Sequence, residues 1–186
     1  MPGYGDGVPR RIHAYVDPRR FVAGTVGLPG ERTFYLQASD DRSVTSVALE
    51  KAQVAMLADR IGGLLAQAGI AEAAGADDHE ALALPLEEEF RVGTLGIAWL
   101  PDAEDGERVL VEAHALGDEE AAEPGDDDDD AADTLRVLLR PEAAASFVRR
   151  ARSLVAAGRP PCPFCLQPLD PGGHVCPRAN GYRRRV

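Results

Sequence analysis

Long apolar runs and cysteines are both scarce in this chain of 186 residues. No apolar run approaches the roughly 20 residues that cross a bilayer, so the sequence predicts no transmembrane helix. Residues 1–11 also lack the apolar segment of a secretion signal, which indicates a cytoplasmic protein. All three cysteines lie between positions 162 and 176, whereas a disulfide framework normally uses an even number in a secreted chain.

Basic residues are outnumbered by acidic ones, and both are unevenly distributed. The net charge of -11 works against nonspecific attraction to nucleic acid or to an anionic membrane. Residues 134–186 hold ten of the 20 basic residues but only two of the 31 acidic ones. Arg178 and Arg183–Arg185 therefore form a basic tail, which we interpret as solvated. Contact with the acidic body, an acidic partner or RNA phosphate is the alternative.

The cysteine segment has the residue types and spacing of a metal site. Cys162 and Cys165 form a Cys-x-x-Cys turn, and His174 and Cys176 point to one face if that segment is extended. Three sulfurs and one imidazole are the donor set of tetrahedral zinc. We predict a structural Zn²⁺ held by all four residues, because four protein ligands leave no position for a substrate. A redox Cys-x-x-Cys or unligated thiols are the alternatives.

Hydrophobic periodicity predicts an α+β body. Alternation of apolar residues indicates strands, and apolar residues three and four apart indicate two amphipathic helices. Trp99 falls just beyond a predicted strand and is expected in the core or at its rim. The predicted strands are 11–16, 21–26, 32–38, 44–49, 90–97, 108–116 and 135–139, and the helices are 50–68 and 141–157.

The predicted elements read as one unit used twice. Phe21-Val-Ala-Gly-Thr-Val-Gly27 returns as Phe90-Arg-Val-Gly-Thr-Leu-Gly96, and each copy continues as three strands and a helix. We predict two repeats, 20–69 and 89–157, that form an antiparallel sheet body with packed helices. This duplicated body spans 11–157. A disordered N-terminus, 1–10, precedes it, and a zinc module with the basic tail, 158–186, follows.

No catalytic set is evident in the sequence. No serine or cysteine motif points to a histidine base, so structural or surface roles are expected for His13, His79 and His114. The acidic run Asp126–Asp130 lacks EF-hand spacing and is interpreted as a solvated loop. Three glycines lack the spacing of a phosphate-binding loop, and their strand context favours close backbone packing or a bulge: Gly24, Gly27 and Gly30.

Several segments resemble an uncharacterised actinobacterial family of unknown function. They are Phe21-Val-Ala-Gly-Thr-Val-Gly, Arg32-Thr-Phe-Tyr-Leu-Gln-Ala, Val44-Thr-Ser-Val-Ala-Leu-Glu-Lys51, and Cys162-Pro-Phe-Cys through Cys176-Pro-Arg-Ala-Asn-Gly-Tyr182. The resemblance implies no established activity. Members of that family tend to sit beside a phosphatase-like and a kinase-like protein, which implies a shared pathway and a partner role.

The sequence therefore favours a non-enzymatic zinc-containing protein that binds another protein, as an adaptor or regulator in a bacterial pathway. One alternative is binding of single-stranded nucleic acid by the repeat sheet and the basic C-terminus. A second alternative is a hydrolase with its site between the two repeats.

Overall fold

The computed structural model describes residues 10–28, 30–117, 132–158, 162–165 and 176. The N-terminal segment predicted to be disordered falls almost entirely outside these ranges, and so do the acidic run Asp126–Asp130 and the basic tail. The predictions made for those segments stay predictions.

The described residues form a mixed α+β fold, as predicted. β5 is longer than predicted because it continues through Trp99, which pairs with Val109 of the next strand. The elements are β1 Ile12–Val16, β2 Arg20–Val26, β3 Thr33–Ser39, β4 Val44–Leu49, α1 Lys51–Gln67, a 3₁₀ turn Glu72–Ala74, β5 Glu88–Leu100, β6 Arg108–Ala115, β7 Thr134–Leu139 and α2 Pro141–Ala156.

The seven strands in the described ranges belong to one sheet, in the order β1-β7-β6-β5-β4-β3-β2. The β2–β3, β3–β4, β5–β6 and β6–β7 pairs are antiparallel, but the β4–β5 and β1–β7 pairs are parallel. The sheet is thus mixed, not purely antiparallel as predicted, because α1 carries the chain back before β5 begins. Three strands followed by a helix occur twice in succession. Duplication of the sequence stays a prediction.

Both helices have local signals that fix their ends. The backbone N–H of Glu50 donates to Gln53 Oε1 at 2.8 Å, which caps the start of α1. Gly69 follows the end of α1 with φ of 76°, a conformation that disfavours other residues. Pro141 opens α2, where its missing N–H leaves no helical hydrogen bond unmade.

The apolar stripes of the two helices cover the same face of the sheet. Phe147 of α2 is 1% exposed and stacks on Phe21 of β2 with ring centroids 4.9 Å apart. Core residues from every strand join this cluster. The buried stripe of α1 is Val54, Leu57, Ala58, Ile61 and Leu65, and that of α2 is Ala144, Phe147, Val148 and Ala151.

The sheet curls around this core. The hydroxyl groups of Tyr15 on β1 and Thr45 on β4 are 2.8 Å apart, although three strands separate β1 from β4 in the sheet order. In a flat sheet four strand spacings would hold them about 19 Å apart. Twist and coiling of the sheet must therefore bring β1, at one end of the sheet, towards the interior strand β4.

Within the described ranges, neither helix is long and apolar enough to cross a membrane.

Candidate metal centre

Three of the four predicted ligands converge. The sulfur atoms of Cys162, Cys165 and Cys176 all lie within 4.8 Å of one another, and the sulfurs of Cys162 and Cys176 are 3.8 Å apart. Two thiolates that each lie about 2.3 Å from one tetrahedral zinc ion stand about 3.8 Å apart, whereas a disulfide needs about 2.05 Å. These three close cysteines can therefore hold a metal ion.

The Cys-x-x-Cys turn favours the thiolate form. Residues 163–165 form a turn that directs the backbone N–H groups of Phe164 and Cys165 at the sulfur of Cys162. Burial of Cys162, which is 3% exposed, acts to raise its pKa. The two N–H donors and the neighbouring cysteine side chains outweigh burial, so the pKa of Cys162 lies below its usual value. A metal ligand needs this deprotonated form.

The fourth predicted ligand, His174, lies outside the described residues. Cys162 and Cys176 are buried, while Cys165 is partly exposed. The donor set that the structure does describe is all sulfur, which suits a soft or borderline cation such as zinc.

The three other histidines do not form a common site. His13 on β1 faces the core side of the sheet, 3.4 Å from Thr45 Oγ1. His79 is exposed on the segment that follows the 3₁₀ turn. His114 on β6 pairs with Thr134 and faces the opposite side of the sheet from His13. The structure therefore places these three histidines in separate environments, and their roles stay a prediction.

His114 belongs to a buried polar network that sequence reasoning missed. The hydroxyl of Thr134 donates to Ala132 O, so it must accept from Nδ1–H of His114 at 2.9 Å. His114 Nε2 then faces Glu112 Oε2 at 3.7 Å, and Glu112 is fully buried. Arg136 Nε donates to the other oxygen of Glu112 at 2.5 Å.

The electrostatics of this network keep His114 neutral near pH 7. Burial is the largest influence and lowers the pKa of His114. The Glu112 carboxylate opposes it, and the charges of Arg10 and Arg136 add to it. The only sequence signal was the alternation of Glu112 and His114 with the apolar Val111 and Ala113. That pattern normally indicates a solvated face, so burial had to come from the tertiary structure.

A second missed cluster fastens residues 76–83, which we name the strap, to the sheet edge. Asp78 accepts two hydrogen bonds from Arg20, at 2.6 and 2.8 Å, and one from Arg150 at 2.7 Å. Arg150 Nε also donates to Ala23 O of the edge strand β2 at 2.7 Å. The hydrogen bonds from Arg20, followed by the charges of both arginines, lower the pKa of Asp78 against its burial. The cluster therefore ties the strap to the outer edge of β2, where another strand could otherwise pair.

Gly24 and Gly93 lie where the chain packs closely, as the strand context predicted, whereas Gly27 and Gly30 follow β2 with positive φ angles of 106° and 103°. A Cβ on Gly24 of β2 would meet the Leu82 side chain of the strap at 2.5 Å. A Cβ on Gly93 of β5 would meet Leu116 Cα at 2.9 Å, beside a register shift in the β5–β6 pair. Trp99 is half-buried and packs against the core, in agreement with its predicted place.

The residues that the structure describes form a mixed α+β fold with one seven-stranded sheet, two helices and a three-cysteine cluster that can hold a metal ion. The chain belongs to the family described as a protein of unknown function, DUF3090, whose model matches residues 13–176. That range includes all three cysteines. Comparison with the curated proteins and with the solved structures returned no match.

Proposed function

We propose that the protein binds one structural Zn²⁺ through Cys162, Cys165, Cys176 and His174, and that it acts without catalysis by binding another protein. The observation that carries the metal part is the convergence of three sulfurs at a separation that suits tetrahedral zinc. The lowered pKa of Cys162 adds support, because the thiolate is the form that binds the ion.

The non-catalytic part follows from the closed coordination proposed for the ion. Three sulfurs and one imidazole would leave no position for water or substrate, so the ion would hold structure and not perform chemistry. The buried His114 network is 0% exposed at Glu112 and 5% exposed at His114, which gives a substrate no access to either group. A bacterial adaptor or regulator built on two copies of a strand-strand-strand-helix unit is consistent with both features.

Elemental analysis of the purified chain tests the metal proposal. We expect about one zinc per chain in the wild type and a loss of most of it in Cys165→Ser and in His174→Ala, because each variant removes one donor. His79→Ala is the matched control, since His79 is exposed on the strap and should leave the zinc content unchanged. Full zinc content in Cys165→Ser would contradict the proposed ligand set.

Affinity capture from native lysate tests the adaptor proposal. The zinc-loaded wild type should recover one protein in a stoichiometric amount, and Cys165→Ser should recover it in a reduced amount if the metal module contributes. Recovery of no stoichiometric partner by the wild type, together with turnover of a substrate, would refute a non-enzymatic role.

A further inference from the structure

The β4–β5 pair covers only the first part of β5. Ser46 pairs with Glu88 and Ala48 with Arg91, after which β4 ends and the chain turns into α1. β5 continues to Leu100, where it is paired with β6 only. Among the strands that the structure describes, none lies beside this second edge of β5 beyond Arg91.

The backbone groups of alternate residues point to this open edge. Leu116 N donates to Arg91 O on the β5 side, whereas Ala115 N donates to Asp133 O on the β7 side. Because the direction alternates along an antiparallel strand, the residues paired with His114, Glu112 and Leu110 direct their N–H and C=O groups at β6. The residues between them direct theirs away from β6, towards the open edge: Leu95, Ile97 and Trp99.

α1 caps only the beginning of this edge. Gln53 Nε2 donates to Val92 O at 3.3 Å and to Gly93 O at 3.2 Å. Beyond Gly93 a groove of about 520 Å³ separates α1 from β5. We call it the β5 groove, and six of its lining residues are Met56, Gly63, Leu64, Gln67, Leu95 and Ile97.

The β5 groove has the dimensions and lining that suit one extended peptide. From Leu95 to Leu100 the open edge spans six residues, which is about 20 Å at strand spacing. The apolar side chains of Met56, Leu64, Leu95 and Ile97 line the groove beside the polar Asp59, Arg60 and Gln67 of α1. A Cβ on Gly63 would meet nothing within 4 Å. An added strand would therefore gain main-chain hydrogen bonds along the edge and contacts for alternate side chains.

Asp59 and Arg60 in the groove lining carry opposite charges, so the acidic turn at the end of the groove favours a basic segment as the occupant. The turn between β5 and β6 carries Asp102, Glu104 and Asp105 just beyond the end of the open edge. A second copy of this chain would bring another net charge of -11 to the same place, and the two copies would repel. A partner with arginine or lysine beside alternating apolar residues would meet attraction instead.

We propose that the β5 groove binds an extended, basic segment of another protein by strand addition to the open edge of β5. This inference rests on the proposed protein-binding function and assigns it a surface. It needs neither the metal ion nor the C-terminal residues.

A synthetic peptide tests strand addition on the full chain. The probe alternates three valines with two threonines and carries an arginine at each end, and fluorescence of Trp99, the single tryptophan, reports binding. In an added strand, valines and threonines direct their N–H groups at opposite edges. N-methylation of all valines or of all threonines should therefore abolish binding in one case and preserve it in the other.

Substitutions at Gly63 locate the binding. Gly63→Phe and Gly63→Leu fill the β5 groove and should weaken the probe at least about tenfold, while Gly63→Ala, which leaves the groove open, should bind it like the wild type. Thermal unfolding verifies that each variant is folded. Two blocking variants are used so that the test still stands if one of them does not fold. The helical circular dichroism signal of each variant should equal or exceed that of the wild type, since glycine is the weaker helix former.

Three results with the probe would overturn the proposal. They are no binding of the probe to the wild type at millimolar concentration, equal binding in the blocked variants, and equal binding of both N-methylated probes. A wild type that dimerises in solution and becomes monomeric in Gly63→Phe would assign the groove to a second copy, which also overturns it. A lysate partner still captured by Gly63→Phe would refute this surface and leave the adaptor function standing. A wild type that binds the probe but captures no partner would refute the adaptor function and leave this surface standing.

Discussion

The sheet-and-helix body and the cysteine cluster are held together by different means. The body buries one continuous cluster of apolar side chains drawn from all seven strands and both helices. The cysteine cluster rests on three sulfur atoms that converge within 4.8 Å, in a segment of 15 residues from Cys162 to Cys176. Apolar burial can hold the first without a cofactor, whereas the proposed ion would supply binding energy to the second. The two regions should therefore respond to different perturbations.

Two phenylalanines provide the strongest contrast between the regions. Phe147→Ala should lower the free energy of unfolding by about 3–5 kcal/mol, because it empties a fully buried position that stacks on Phe21. Phe164→Ala, at a position 61% exposed beside the cysteines, should change it by less than about 0.5 kcal/mol. Urea unfolding followed by circular dichroism measures both. Equal losses would mean that the two regions share one core.

Charge within the body gives an intermediate effect. Asp78→Asn should cost about 2 kcal/mol, since Arg20 and Arg150 would lose the anion between them. Asp77→Asn is the matched control, because Asp77 pairs with Arg149 at a position 58% exposed and should cost less than about 1 kcal/mol. The zinc content should stay the same in both variants. Loss of zinc in Asp78→Asn would show that the strap and the cysteine cluster are coupled.

The smallest effect is a pH dependence that belongs to the body. Because the pKa of His114 is lowered in the folded chain, the unfolded chain takes up a proton first as pH falls. The contribution of His114 is fully present above its unfolded pKa, about 6.5, and is lost as pH falls below that value towards the folded pKa. The slope should reach at most about 1.4 kcal/mol per pH unit.

Unfolding free energies measured between pH 7.5 and 5 test this dependence. His114→Gln should flatten the curve in that range, and the exposed His79→Gln should not. An unchanged slope in His114→Gln would mean that another group carries the dependence.

Most elements of the fold were predictable because their signals are local. The apolar stripes of α1 and α2, the proline that opens α2 and Gly69 after α1 all act within a few residues. Two details were not predictable. β5 extends through Trp99 because Val109 pairs with it across the sheet, and the parallel β4–β5 pair depends on where α1 returns the chain.

The candidate metal site was easier to predict than the polar networks. Cys162, Cys165 and Cys176 are close in sequence, so their spacing alone brought them together as candidates. Glu112 and Arg136 are 24 residues apart, and Arg20 and Asp78 are 58 residues apart. Such pairs have no periodic signature, and their meeting depends on strand order.

By itself the sequence determined which residues could be strand, helix or metal ligand, because periodicity, caps and ligand spacing are properties of neighbouring residues. Only the tertiary structure decided that the sheet curls far enough for Tyr15 to reach Thr45. It also decided that Glu112 and His114 are buried, and that β5 extends beyond the end of β4 and leaves an open edge. Each of these depends on how distant strands are ordered and bent around a shared core, and no short stretch of chain encodes that order.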